Sequence, residues 1–205
     1  MSHNTWIHKV SRVLIVNPLI DTPVRPNHLT IVRLATGLGA FVGFAIGAVP
    51  WVQIGAVAFL ISMLFDRADG DLARLTGRTS PLGHTLDLIA DALCNSLILV
   101  GLGIGLSHGN YGVGAIAMGI TAGVAVAAIL GMVIRVESLE GARAAELGGI
   151  AGFDPDDAMC LVPIAVLFET AEGLLLAAAI GAPCFAMLFL ILFRRKLFVG
   201  KQENP

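Results

Sequence analysis

The chain has 205 residues, 56% of them hydrophobic and only 14% charged, with a mean hydropathy of +0.84. Soluble domains carry roughly a quarter charged residues, and one core of this size cannot hide so much apolar surface, so the composition excludes an ordinary soluble protein and calls for lipid as solvent. The formal charge of -2 is uninformative by itself, because the placement of charge carries the information, and no nucleic-acid partner is expected.

Taken from the N-terminus, Trp6, Ile7, Val10, Val13 and Leu14 recur at helical spacing with Lys9 and Arg12 between them. The pattern predicts an amphipathic juxtamembrane helix over 1–25, either lying on the cytoplasmic leaflet or packed on the protein as an ordinary first helix. Residues 26–205 are expected to form one all-α membrane domain. A span needs about 20 mostly apolar residues, and six are expected, at about 30–49, 51–68, 86–107, 112–134, 156–170 and 173–193. Turn-rich breaks separate them. The last two are divided at Glu169 and Glu172, because a carboxylate suits an interface better than lipid. Asp154, Asp156 and Asp157 are expected to cap the fifth span, with Pro155 in its first turn, or else to bind a cationic or amino-bearing acceptor.

Gly39, Gly43 and Gly47 repeat every fourth position in the first span, a pattern for close helix approach within one subunit or across a homodimer. Cys94, Cys160 and Cys184 lie in apolar runs without ligand spacing and read as buried thiols. Six spans place both termini on one side, and all 13 Lys and Arg residues then fall there. The positive-inside rule makes that side the cytoplasm, and the cell inner membrane is the expected location.

Four aspartates, Asp66, Asp69, Asp87 and Asp91, sit where membrane helices should be apolar, a costly placement unless they are paired, ligate a metal or face water. At about 100° per residue, Asp66, Asp69, Gly70, Ala73 and Arg74 share one helix face. Asp87 and Asp91 stack one turn apart. The turn between the two helices reverses the chain, so the carboxylates converge, and four together repel unless cations lie between them. Hard oxygen donors without thiols or paired histidines suit Mg²⁺ or Mn²⁺. Gly70 and Ala73 leave a smooth patch for a bulky ligand, and Arg74 offers a fork of donors suited to phosphate. Together these features describe a pyrophosphate site.

The pattern Asp-x2-Asp-Gly-x2-Ala-Arg-x8-Gly-x3-Asp-x3-Asp over residues 66–91 is identified as the signature of the CDP-alcohol phosphotransferase family, matched at every fixed position. Asn27, Thr30 and Arg33 resemble the family's recurrent Asn-x2-Thr-x2-Arg opening of the first span. The resemblance implies six spans, an N-terminal juxtamembrane helix, and transfer of a phosphatidyl-type group from a CDP-lipid to a small hydroxyl acceptor with release of CMP, in phospholipid biosynthesis. It also implies that Asp66, Asp69, Asp87 and Asp91 hold a two-metal centre. Asp69, Gly70, Ala73 and Arg74 would contact CDP, and Asp91 would serve as general base.

The acceptor is less legible. Ser138 to Ala145 reads Ser-Leu-Glu-Gly-Ala-Arg-Ala-Ala, similar to the Ser-Tyr-x-Lys-Ala-Arg-Ala-Glu of members that use inositol phosphate, but with Gly141 in place of the lysine. Arg135 and Arg143 also resemble the arginine pair of phosphatidylglycerophosphate synthases. They are candidate ligands for an acceptor phosphate, on inositol phosphate or glycerol 3-phosphate, or else topology determinants paired with Glu137, Glu140 or Glu146. Two rival classes are an intramembrane prenyltransferase, which needs more spans, and a cation transporter, which needs carboxylates deep in several helices.

Overall fold

The computed structural model describes residues 6–140 and 155–198, and all regular structure among them is helical. The N-terminal segment is α1 (Trp6–Ser11), a π-helical turn (Arg12–Val16) and α2 (Asn17–Leu19). The wide turn has a local cause. Asn17 N–H donates back to the Arg12 carbonyl, and Pro18, which follows, has no N–H to continue the normal ladder. Ile7, Ser11 and Val16 are buried against the body of the protein, and Ser11 Oγ donates to the Leu64 carbonyl at 2.9 Å. Val10, Val13 and Leu14 face outward beside Lys9 and Arg12.

Among the described residues, five helices are long and apolar enough to cross a membrane. In order, α3 is Pro26–Ile46, α4 is Trp51–Thr76, α5 is Pro81–Gly105, α6 is Gly114–Glu140, and α8 is Ala171–Phe198 after the short α7, Leu161–Leu167. The expected spans at 30–49, 51–68, 86–107, 112–134 and 173–193 correspond to these five. The fifth expected span, at 156–170, differs: a 3-10 helix opening at Pro155 runs to Cys160 and continues as α7, and the apolar helical stretch Ala158–Leu167 is shorter than a span requires. The division at Glu169 holds, since that residue is left-handed, with φ 59°, between α7 and α8.

The helix ends follow local chemistry. Pro26 and Pro81 lie in first turns, where a missing N–H is no loss. Ser80 Oγ caps α5 by accepting from Gly83 N at 3.0 Å. At the opposite end, Glu172 Oε1 accepts from Asn110 N at 3.0 Å and Oε2 accepts from the Asn110 side-chain amide. That pairing puts the start of α8 beside the connection between α5 and α6, so α6 and α8 begin at the same end of the bundle.

α3 packs against both α4 and α5, α5 against α6, and α6 against α8. The core joins Phe44 of α3, Phe59 of α4, Ile98 and Leu102 of α5, Ala122 of α6, Val166 of α7 and Leu175 of α8. Glycine lets the backbones meet. A Cβ on Gly43 would lie 2.7 Å from the Trp51 carbonyl oxygen and 2.9 Å from Gly55 Cα, and Gly103 and Gly119 face each other between α5 and α6 in the same way. Gly47 ends α3 at φ 71° against Gly105. Two of the three repeating glycines are therefore used inside one subunit, while Gly39 faces open space. Cys94 and Cys160 are buried as expected, but Cys184 is exposed, because α8 turns little of its apolar surface inward.

Candidate active site

The site is built where α3, α4 and α5 cross, several turns inside each helix. Asp66 projects from α4, and Asp87 and Asp91 project from successive turns of α5. One carboxylate oxygen of each lies within 4.8 Å of the others. Exposure falls from Asp87, at 36%, through Asp66, at 18%, to Asp91, at 10%, so the cluster opens on the Asp87 side.

The guanidinium of Arg33, on α3, sits among them. Nη1 is 2.7 Å from Asp66 Oδ1 and 2.9 Å from Asp87 Oδ1, and Nη2 donates to Asp91 Oδ1. Arg67 Nε stands 3.6 Å from Asp66 Oδ2. A cavity of about 20 Å³, room for a water or a single hydroxyl, is bordered by Arg33, Asp66, Arg67, Asp91 and Asn95.

Asp69, one turn beyond Asp66, is buried and separate from this group of three; its Oδ2 accepts from Thr30 Oγ1 at 2.7 Å. The Gly70 face is open to one neighbour: a Cβ there would come 3.6 Å from both terminal nitrogens of Arg74, whose guanidinium lies over the glycine. Arg74 is half exposed, and its Nη2 donates to Asp71 Oδ1 at 2.6 Å. Gly83 has a packing reason, since a Cβ would meet Asn27 Oδ1 at 2.7 Å where α3 begins beside α5.

The structure thus brings Asp66, Asp87 and Asp91 together and sets Asp69, Gly70, Ala73 and Arg74 along the adjoining stretch of α4. The donors that converge are all carboxylate oxygens, which fits a hard divalent cation and disfavours soft-metal chemistry. A family model for CDP-alcohol phosphatidyltransferase matches residues 23–193 and so covers the whole of this site. The chain belongs to the CDP-alcohol phosphatidyltransferase family. The family is described as one of phosphatidyl-group transferases.

Two relatives in this family are similar over shorter stretches. One is the bifunctional IPC transferase and DIPP synthase of Rubrobacter xylanophilus, 30% identical over 87 residues, which are 42% of this chain and 19% of that protein. Another is the archaetidylinositol phosphate synthase of Aeropyrum pernix, 47% identical over 58 residues, or 26% of this chain and 30% of that one. Both alignments span less than a third of the relative's length, so they carry no whole-protein activity across.

Arg135, a candidate for the acceptor, is exposed and lines a groove of about 470 Å³ between α6 and α8 with Gly131, Met132 and Leu190; no residue of the aspartate cluster borders it. Arg143 and Gly141 lie outside the described residues. Spacing within α4 and α5 gives no hint of two further partners, the central place of Arg33 and the Thr30 bond to Asp69, whereas Asp71 beside Arg74 is an i,i+3 pair that the α4 register does offer. A lone arginine two turns inside an apolar helix was the available signal for the first, because such a charge needs carboxylate partners.

Proposed function

We propose that this family member moves a phosphatidyl-type group from a CDP-lipid, such as a CDP-diacylglycerol, to the hydroxyl of a small phosphorylated polyol. The observation that carries the reading is the convergence of Asp66, Asp87 and Asp91 beside the open Gly70–Arg74 stretch. In this reading Asp66, Asp69, Asp87 and Asp91 hold Mg²⁺ or Mn²⁺, with two ions in the full site. Divalent cations held there supply neutralisation of the charge that develops on the diphosphate.

The remaining work falls to the protein's own groups. Arg74 exchanges its bond to Asp71 for the diphosphate oxygens, and the Gly70–Ala73 patch receives the nucleotide. Asp91 borders the small cavity and takes the proton from the acceptor hydroxyl. The acceptor oxygen bonds to the lipid-side phosphorus, the phosphorus–oxygen bond to CMP breaks, and CMP leaves. Asp91→Asn should lower CMP release by about 100-fold or more; near-normal rates in that variant would remove Asp91 as the base.

Inositol phosphate is the first acceptor to test, prompted by the inositol phosphate in the name of the Aeropyrum relative, with glycerol 3-phosphate second. Arg135 and Arg143 are the proposed cations for the acceptor phosphate. Six traverses, with both termini and the site in the cytoplasm of an inner cell membrane, complete the reading. The test is CMP release by purified protein given CDP-lipid, Mg²⁺ and, in parallel, inositol phosphate, glycerol 3-phosphate, inositol, serine or ethanolamine. Release with a phosphorylated polyol alone supports it. No release with any acceptor from folded protein overturns it.

A further inference from the structure

Arg33 has no step in the transfer as derived, yet it is the most highly connected side chain of the site. It is 3% exposed, and one planar fork reaches all three converging carboxylates, Asp66, Asp87 and Asp91. Its own backbone carbonyl accepts from Ser62 Oγ at 2.9 Å, which fixes the root of the side chain against α4. The carboxylates that bind this guanidinium are the same three whose oxygens lie within 4.8 Å of one another. Two positive partners draw on one set of oxygens, and in poorly solvated surroundings their mutual repulsion is strong. A guanidinium is suited to this position because its fork serves several oxygens at once, which a lysine ammonium on a flexible stem does less well.

We propose that Arg33 is the built-in counter-cation of the cluster: a positioning residue that holds Asp66, Asp87 and Asp91 in register and competes with divalent metal for their oxygens. This rests on the reading of the aspartates as metal ligands. It makes metal affinity a compromise set by α3, a helix that contributes none of the four aspartates.

The experiment measures Mn²⁺ binding by the loss of the free-ion paramagnetic resonance signal, on the full chain in detergent after EDTA treatment and without substrate. Arg33→Gln should bind Mn²⁺ about tenfold more tightly or better, because the competing charge is gone. It should also lose more thermal stability in EDTA than in saturating Mn²⁺. Arg33→Lys keeps the charge without the fork and should tighten binding by only about threefold. Should the glutamine variant fail to fold, the lysine variant carries the test. Unchanged or weaker Mn²⁺ binding in the folded variants overturns the proposal. No Mn²⁺ binding by the unaltered protein overturns the metal reading itself, a different result from unchanged affinity.

Discussion

Thr30 Oγ1 donates a hydrogen bond to Asp69, a carboxylate that is 4% exposed. Leaving a buried acceptor without its donor costs about 1–3 kcal/mol. Thr30→Val, which keeps the side-chain shape, should therefore destabilise the protein by an amount in that range, read as a lower melting temperature in detergent. An unchanged melting temperature would show that another group satisfies Asp69. The same residue illustrates what local spacing conveys. Asp66, Asp69, Asp87 and Asp91 were legible because helical periodicity stacks them on two faces. Thr30 and Arg33 were visible only as letters of a motif, since their roles depend on how α3 is rotated against α4 and α5, and no local pattern encodes that rotation.

At the scale of the element, α1 is a short helix docked on α4 through a histidine. His8 is buried, and its Nδ1 lies 3.7 Å from Asp71 Oδ2. Burial holds its pKa below the ordinary 6.5, the charge of Arg67 acts in the same direction, and Asp71 opposes both. A base with a lowered folded pKa binds fewer protons folded than unfolded, so stability rises with pH across that interval. Acid should accordingly weaken the docking as pH falls through 6.5, with little change above it. Melting curves between about pH 5 and pH 7.5 should show this slope, and His8→Gln should flatten it; an equal slope in the variant would assign the effect elsewhere. Most helices were legible from apolar runs and turn residues. The stretch ending in α7 was not, because composition reports that a segment is apolar but not how many of its residues join the helix.

Across the whole molecule, apolar side chains are turned outward as freely as inward. Ile180, Met187 and Ile191 of α8 are more than half exposed, and Val124 of α6 is 63% exposed. This is the surface expected when lipid tails, rather than water, meet the protein. The proposed orientation is open to direct test. In a background without native cysteines, Val113→Cys, at the end shared by the α5–α6 connection and the start of α8, should label with an impermeant thiol reagent applied from outside. Leu82→Cys, at the start of α5, should label only from the cytoplasmic face. Reversed labelling would refute the cytoplasmic site. The charge distribution is the basis of the proposed orientation, whereas the acceptor was not legible, since the residues around Arg143 carry a departure from the pattern at Gly141.

The Glu172–Asn110 pairing is placed like the hinge pin of a pair of tongs. It joins the α5–α6 connection to the start of α8 at the end remote from the aspartates, and is expected to limit how far the bundle can splay there. Any parting of helices that lets a CDP-lipid reach Arg74 must then be widest at the other end. Amide hydrogen exchange should be slower around residue 110 than around Gly83, and Glu172→Gln should narrow that difference; equal rates in the unaltered protein would dispose of the idea.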